Sequence, residues 1–355
     1  MESRRKSLVM VPLNMLKACI STLHNARNNR GPLKISVLIP AYNAAKTIET
    51  TLNAVLVQTI APHEILVFDD GSNDNTAVIL ESYKSRATVV RQQNQGVAHA
   101  RNFLCEQARG DVLAFLDADD TWHPCYLETQ KKMIEKHPDA VAYFTEHENI
   151  VGLGDFKWPK GADCQPINPE LIQPAVFIKR YNETPLSFQM SCMCVRKSVP
   201  SQLGPEPFRV TVADDTFFHT SLPLLGPVAH TTARLVAYRI NESSLSSNRL
   251  RMSVLVVDVF KILDEIYKAK ADPALYDAFR MVYASRRRNC GKYLMGAAKT
   301  RDAREQFMAA ACLSRRPASV VKSVGLYLST LLPRSLQPRW LAGERLYPAS
   351  GRRRC

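Results

Sequence analysis

A short acidic motif, Asp117–Asp120, follows directly after an apolar run and is the first candidate for chemistry in this chain. The run, Asp111–Leu116, is typical of a buried strand, so the carboxylates stand at the end of that strand. Carboxylate oxygens are hard ligands that suit Mg²⁺ or Mn²⁺, and these ions take phosphate oxygens as further ligands. The motif therefore predicts a divalent-cation site. The alternative is an acidic turn that only caps the helix starting near Pro124.

A second acidic pair, Asp214 and Asp215, opens a predicted helix about one hundred residues further on. Adjacent carboxylates raise each other's pKa by like-charge repulsion, which helps a general base to work near neutral pH. The alternative is that the pair only stabilises the helix start, where acidic side chains favour the helix dipole.

These residues need elements to position them, and the chain from residue 35 alternates strand and helix patterns. The predicted strands are 35–39, 64–68, 88–91, 111–116 and 140–145, and the predicted helices between and after them are 44–58, 74–83, 96–109 and 124–136. This alternation predicts right-handed βαβ units, and thus an α/β fold with a mostly parallel sheet and helices on both faces. Ligands of such sheets bind beyond the carboxyl ends of the strands. Polar groups cluster at those ends: Tyr42-Asn43, Asp69-Asp70 and Asp117–Asp120. That layout is typical of a nucleotide site.

The rest of the chain divides by pattern into a basic N-terminal extension (1–33), a catalytic domain (34–250) and a basic helical C-terminal region (251–355). Residues 146–185 are expected to form an irregular surface or lid, residues 188–195 and 228–240 strands, and residues 252–311 helices. A last apolar stretch spans residues 318–332 between two prolines.

Composition and charge exclude several classes of protein. With 46% hydrophobic and 23% charged residues, the chain is neither disordered nor collagen-like. The net charge of +14 lies at the ends, because residues 251–355 carry 21 basic and 8 acidic side chains whereas residues 35–250 carry 19 and 24. This argues against a nucleic-acid partner for the catalytic cleft. It permits attraction of the ends to anionic lipid, although basic helices are often simply solvated.

The nine cysteines show neither a Cys-x-x-Cys pair nor zinc spacing, so Cys192 and Cys194 are expected to be small core residues and the compartment to be reducing. No run of about 18 apolar residues occurs, which predicts no transmembrane helix. The N-terminal segment lacks the long apolar centre and cleavage site of a signal peptide. Together these features predict a cytoplasmic protein, with attachment to the cytoplasmic face of the membrane as a further hypothesis.

Four segments in order resemble the motifs of family 2 glycosyltransferases, which are GT-A-fold enzymes that use nucleotide-diphosphate sugars. The segments are Ile35–Asn43, Val67–Thr76, Asn94–Asn102 and Phe115–Asp120. The resemblance covers roughly residues 34–250 and leaves out both ends. Four ordered motifs at suitable spacing are a far stronger signal than any one of them alone.

The resemblance implies roles for individual residues. Asp119 and Asp120 would bind the metal, with Asp117 and Ala118 nearer the ribose. Asp70, with its neighbour Asp69, would accept from the N–H of the base. Pro40, Ala41, Tyr42 and Asn43 would line the same side, with Tyr42 stacking on the base. Arg101 would pair with an acid of the 117–120 motif or approach the diphosphate. Asp215 would be the catalytic base and Asp214 its supporting neighbour.

The expected function is therefore an inverting glycosyltransferase that depends on Mn²⁺ or Mg²⁺. It would move a sugar, most plausibly from a UDP-sugar, to a hydroxyl of a saccharide or lipid-linked acceptor in cell-surface polysaccharide or glycolipid biosynthesis. One alternative is a catalytically silent relative that binds a nucleotide sugar as a sensor or scaffold. Another is a nucleotidyltransferase, although Ala41–Asn43 is neither Gly-rich nor basic. The segment Gln337–Trp340 differs in spacing and position from the Gln-x-x-Arg-Trp motif of processive synthases.

Overall fold

The computed structural model describes residues 32–152, 156, 158, 168–183, 189–209, 213–240 and 248–332. Two segments discussed above lie outside the described residues: most of the basic N-terminal extension, and residues 333–355 with the segment Gln337–Trp340.

Nine strands of the described residues form one sheet. They are β1 (Ile35–Ala41), β2 (Glu64–Asp69), β3 (Thr88–Arg91), β4 (Val112–Phe115), β5 (Thr121–Trp122), β6 (Ala142–Val151), β7 (Glu170–Ile172), β8 (Met193–Arg196) and β9 (Val228–Ile240). Their order in the sheet is β3-β2-β1-β4-β8-β6-β9-β5, with β7 paired to β9. β3, β2, β1 and β4 are parallel neighbours, and β6 is parallel to β9. The antiparallel strand β8 joins these two parallel parts.

The helices connect the strands and then form a C-terminal layer. They are α1 (Ile48–Leu56), α2 (Thr76–Glu81), α3 (Val97–Gln107), α4 (Tyr126–Lys136), α5 (Pro174–Glu183), α6 (Ser198–Gln202), α7 (Asp214–Ser221), α8 (Arg249–Lys270), α9 (Pro273–Gly296), α10 (Thr300–Leu313) and α11 (Pro317–Ser329).

Both faces of the sheet are covered, because side chains of a strand alternate between its two faces. Val37 and Ile39 of β1 pack with α1 and α4, whereas Leu38 between them packs with α3, α5 and α7. β1 is therefore buried along its whole length and is mostly apolar, as expected of a strand covered on both faces. The predicted α/β architecture with helices on both faces is confirmed.

The C-terminal helices pack on the catalytic domain beside α5 and α7. Ile178 of α5 and Phe217 of α7 belong to the same buried cluster as Phe260 of α8 and Phe279 of α9. The helix starting with Asp214 is thus held on its outer side by the C-terminal region. The predicted helical C-terminal extension is confirmed.

Cysteines and membrane spans follow the sequence-based expectations in part. Cys192 and Cys194 are buried free thiols in the core, as predicted. Cys125, in contrast, is disulfide-bonded, which the sequence analysis did not predict. Within the described part of the chain, no helix has the length and apolar character needed to cross a bilayer.

Candidate active site

The polar loops that follow β1, β2 and β4 lie at one edge of the sheet. β1 pairs in parallel with β2 up to the pair Ala41 and Asp69, and with β4 up to Leu38 and Phe115. Because parallel strands end at the same edge, the loops after them are neighbours there. The predicted convergence of the three motifs is present.

The loops after β1 and β2 are tied to each other by reciprocal hydrogen bonds. The backbone N–H of Asn43 donates to Ser72 Oγ at 2.9 Å, and the N–H of Asn73 donates to Asn43 Oδ1 at 2.8 Å. Asn43 has a φ of 50°, a left-handed conformation that Asn tolerates better than most residues. Pro40 and Ala41 are buried in β1, whereas the Tyr42 ring remains 48% exposed at the rim. That ring is available for stacking on a ligand.

Asp70 has protein partners for both carboxylate oxygens. The backbone N–H groups of Gln95 and Gly96 donate to Asp70 Oδ1 and Oδ2, each at 2.8 Å, and the residue is 3% exposed. The carboxylate therefore anchors the start of α3. Each oxygen of a carboxylate can accept a further hydrogen bond, so the predicted role of Asp70 as acceptor for the nucleotide base stays a prediction.

Asp69 is also buried and directed into the protein. The N–H of Ser72 donates to Asp69 Oδ1 at 2.9 Å, and Arg91 Nε lies 3.2 Å from Asp69 Oδ2. Gly71 makes this turn with a φ of +74°, and a Cβ there would lie 2.8 Å from the backbone nitrogen of Asn94. Only glycine fits that combination of conformation and contact.

Asp119 has the open carboxylate of the acidic motif. Burial, together with the negative charge of Asp117, raises the pKa of the Asp119 carboxyl to about 6. A hydrogen bond from its own backbone N–H and the positive charge of Arg239 oppose that rise without cancelling it. A half-buried carboxylate beside a second negative charge is the setting that a cation relieves.

Asp120, predicted as the second metal ligand, is instead fully buried and hydrogen-bonded. Ser191 Oγ donates to Asp120 Oδ2 at 2.6 Å, and the N–H of Arg239 donates to Asp120 Oδ1 at 2.9 Å. Burial and the charges of Asp119 and Asp117 raise the pKa of this carboxyl. We revise the predicted ligand role, because both oxygens already accept hydrogen bonds inside the protein and the residue is 0% exposed. Asp120 joins the acidic loop to β9.

Two buried hydroxyls that the sequence analysis missed fix the shape of the acidic loop. Ser191 accepts from the N–H of Asp117 at 3.0 Å while donating to Asp120. Thr51 Oγ1 of α1 lies 3.0 Å from the carbonyl oxygen of Ala118 and 2.8 Å from that of Asp120. Ser191 lies in a turn, residues 190–192, inside the segment predicted as a strand. The residue pattern of that segment therefore did not indicate that Ser191 holds the acidic loop.

Arg101 joins the acidic loop to the start of α7. Its Nη2 lies 2.6 Å from Asp117 Oδ1 and its Nη1 lies 2.6 Å from Asp214 Oδ2. The Arg101 side chain is 7% exposed and that of Asp117 is 30% exposed. Burial opposes the charge on Arg101, but the two carboxylates outweigh it and raise its pKa. The predicted ion pair with the acidic motif is present, and the second pair with Asp214 was not predicted.

Asp215, the predicted base, is not bound by Arg101. Its Oδ1 accepts a hydrogen bond from the N–H of Thr216 at 2.6 Å. Burial raises the pKa of the Asp215 carboxyl above its usual value, and the positive charge of Arg101 opposes that rise. Burial likewise raises the pKa of Asp214. Asp214 thus supports the site through Arg101, and Asp215 keeps an oxygen for other partners.

Tyr238 and Arg239 of β9 complete the edge of the site, and neither was among the predicted site residues. The pKa of the Tyr238 phenol is raised by burial and by the negative charges of Asp120, Asp117, Asp119 and Asp215. Those four carboxylates therefore lie around one phenol. Arg239 Nε donates to the carbonyl oxygen of Asp119 at 3.0 Å, and its Nη1 donates to the carbonyl of Gly152.

The residues present fit a divalent cation. The Asp119 carboxylate is open, and Arg101 binds Asp117 through Oδ1 rather than Oδ2. Among the described residues, no group of three or more His, Cys, Asp or Glu side chains is arranged to hold a metal. Mg²⁺ and Mn²⁺ bound through one or two carboxylates and phosphate oxygens need no such group.

Comparison with solved structures identifies the fold. The crystal structure of S. aureus TarS 1-349 in complex with UDP covers 84% of this chain and 90% of its own, at a TM-score of 0.56 and 16% identity. The mannosyltransferase PcManGT from Pyrobaculum calidifontis, in complex with GDP-Man and Mn²⁺, covers 93% of this chain and 94% of its own, at a TM-score of 0.53 and 20% identity. Together with the sheet order and the site, these likenesses define a GT-A fold.

Sequence comparison then identifies the family. Residues 36–202 match the family model described as glycosyl transferase family 2. The glucosyltransferase WfgD of Escherichia coli, named UDP-Glc:alpha-D-GlcNAc-diphosphoundecaprenol beta-1,3-glucosyltransferase, is 29% identical over 61% of this chain and 81% of its own length. The putative teichuronic acid biosynthesis glycosyltransferase TuaG of Bacillus subtilis is 39% identical over 31% of this chain and 45% of its own. The match places residues 36–202 in glycosyl transferase family 2, and these relatives support a glycosyltransferase enzyme.

Proposed function

We propose that the enzyme transfers one sugar, with inversion, from a nucleotide-diphosphate sugar to a hydroxyl of a saccharide or lipid-linked acceptor in cell-surface polysaccharide or glycolipid biosynthesis. The observation that carries the proposal is the double ion pair of Arg101 with Asp117 and Asp214. It holds the candidate metal loop and the candidate base helix at one rim, so that a donor on one side meets an acceptor on the other.

Asp215 is the proposed base. Attack on the anomeric carbon requires removal of the proton from the acceptor hydroxyl. A single base acting at one face of the sugar gives one displacement, and hence inversion. The raised pKa of Asp215 supports this role, because a stronger base takes the proton more readily. Asp214 fixes the start of α7 through its bond to Arg101 and is a positioning residue.

Asp119, with Asp117 beside it, is the proposed holder of Mn²⁺ or Mg²⁺. Such an ion, when bound, neutralises the negative charge that develops on a departing diphosphate. Asp120 supports this loop from below through Ser191 and Arg239. Tyr42 offers the exposed ring for stacking on the base of the donor, and the fixed loop of Asn43 and Asn73 lies beside it.

A UDP-sugar is the proposed donor, and a lipid-linked saccharide is the proposed acceptor. The name of the relative WfgD specifies UDP-Glc and a diphosphoundecaprenol-linked GlcNAc, and the TarS structure contains UDP. PcManGT was solved with GDP-Man, so GDP-sugars belong in any test. A lipid-linked acceptor also places the proposed reaction at the cytoplasmic face of a membrane.

The test is a panel of UDP- and GDP-sugars assayed for nucleotide release with and without Mn²⁺, in the presence of a GlcNAc-diphosphate-lipid acceptor. We expect release with a UDP-sugar that rises when acceptor is added, and NMR of the product should show the anomeric configuration opposite to that of the donor. Retained configuration, or nucleotide release without any glycosylated product across the panel, would refute the proposal.

A further inference from the structure

The outward face of α11 is apolar. Val321 is 70% exposed and Leu328 is 53% exposed, and Leu331 just after the helix is 53% exposed. Gly325 lies between the first two on the same exposed face, and a Cβ added there would meet nothing within 4 Å. Within the described residues, this face packs against no other element along its centre.

The inward face of the same helix holds both hydroxyl and apolar side chains. Arg288 Nη1 of α9 donates to Ser319 Oγ at 2.8 Å, and Arg304 Nε of α10 donates to Thr330 Oγ1 at 2.8 Å. Leu326 is 4% exposed and belongs to the buried cluster of α8 and α9. These contacts attach α11 to the protein. A surface helix usually turns its apolar residues to the core, so the second apolar face of α11, which is directed outward, needs an explanation.

Cations flank the apolar face. Lys322 is exposed beside Val321. Arg316 is exposed at the start of the helix. An exposed apolar stripe with Lys and Arg beside it has the composition of helices that lie in a membrane interface.

We propose that the outward face of α11 docks onto an anionic lipid bilayer, with its apolar side chains among the acyl chains and its cations at the headgroups.

Charge favours a lipid bilayer over two other occupants of this face, a second copy of the chain and residues 333–355. A second copy would bring like-charged borders together. Residues 333–355, which follow α11, carry six arginines and one glutamate, so they too are repelled by the cations and attracted by anionic lipid. The physical argument for membrane binding is independent of the proposed function, but the biological purpose of that binding rests on the proposed lipid-linked acceptor.

The test is co-sedimentation of the full chain with phosphatidylcholine vesicles that do or do not contain about one third phosphatidylglycerol. We expect binding to the anionic vesicles at low salt and weak binding to the neutral ones. Val321→Asp with Leu328→Asp should reduce the bound fraction at least about fivefold, because charged groups replace buried apolar area. Val78→Asp is the matched control, since Val78 is 72% exposed on α2, and it should bind as the wild type does.

A gain of binding is the sharper expectation. Gly325→Leu adds an apolar side chain where there is open space and should tighten binding, whereas Gly325→Glu should weaken it. Equal binding of all variants, no wild-type binding, or equal binding to neutral vesicles would overturn the proposal. So would sedimentation velocity showing that the double variant separates a wild-type dimer into monomers. Nucleotide release with a detergent-dispersed acceptor, measured separately, reports on the proposed function and should be the same in all these variants.

Discussion

Arg101 and Asp214 are 113 residues apart in sequence, and their side chains are joined at 2.6 Å. The same guanidinium reaches Asp117, so one buried cation connects the helix that starts with the acidic pair to the loop that ends β4. Removal of one partner from a buried pair leaves the other charge uncompensated. The resulting loss of stability is larger than the net contribution of the intact pair.

We therefore expect Arg101→Met to lower the free energy of unfolding by about 3–5 kcal/mol and to abolish transfer. Arg315→Met is the control, because Arg315 pairs with Asp277 at the surface, where the two side chains are 66% and 48% exposed, and its loss should cost no more than about 1 kcal/mol. Urea unfolding of both variants measures the difference. Similar losses in the two variants would contradict the account of Arg101.

Asp215→Asn should reduce kcat by about 10²–10⁴-fold, because the amide cannot take the acceptor proton. Binding of the nucleotide sugar, measured by calorimetry, should be unchanged, since Asp215 faces the acceptor in the proposal. Asp302→Asn, an exposed acid in the first turn of α10, is the matched control and should retain full activity. Undiminished turnover in Asp215→Asn would remove the assignment.

The pH dependence of transfer follows from the raised pKa of Asp215. The base acts in its ionised form, so activity is expected at pH values above the raised pKa and is lost as the pH falls through it. The acidic limb of kcat/KM against pH should therefore lie above the usual aspartate value of about 4. A profile that stays flat down to that value would contradict the role of burial at this carboxyl.

Chelation and substitution separate the two candidate metal ligands. EDTA should abolish transfer and Mn²⁺ or Mg²⁺ should restore it. Mn²⁺ with nucleoside diphosphate should raise the melting temperature of the wild type and of Asp120→Asn, relative to each protein without ligand. It should not raise that of Asp119→Asn, because this variant lacks the open carboxylate. A normal shift in Asp119→Asn with none in Asp120→Asn would restore the ligand role first predicted for Asp120.

Ser191→Ala should lower the free energy of unfolding by about 1–3 kcal/mol, since it removes the donor to the buried Asp120 carboxylate and the acceptor for the Asp117 N–H. Ser201→Ala is the control, because the Ser201 hydroxyl is exposed and donates only to the nearby carbonyl of Ser198. Its effect should stay within about 0.5 kcal/mol. Equal melting temperatures of the two variants would show that Ser191 is dispensable to the loop.

The regular part of the fold was readable from local pattern. Strands β1 to β4 and helices α1 to α4 carry apolar periodicities that fix their type, although the helix ends differ by up to four residues, as at α1. Residues 146–185 were predicted as irregular, yet they hold the end of β6, β7 and α5. Residues 146–149 of β6 are all polar, and this segment is a strand because it pairs with β9, more than 80 residues away in sequence.

The sequence by itself determined that acidic and amide groups gather at one edge of a sheet, because strand ends and motif order are local properties. Only the tertiary structure decided which carboxylates stay open. Gln95 and Gly96 donate hydrogen bonds to Asp70, and Ser191 and Arg239 donate to Asp120. In the part of the chain that the structure describes, the Asp119 carboxylate accepts from its own N–H and from no distant segment. Those donors come from distant segments of the chain. The sequence therefore determines which residues are carboxylates, and the packing determines which of them can bind a ligand.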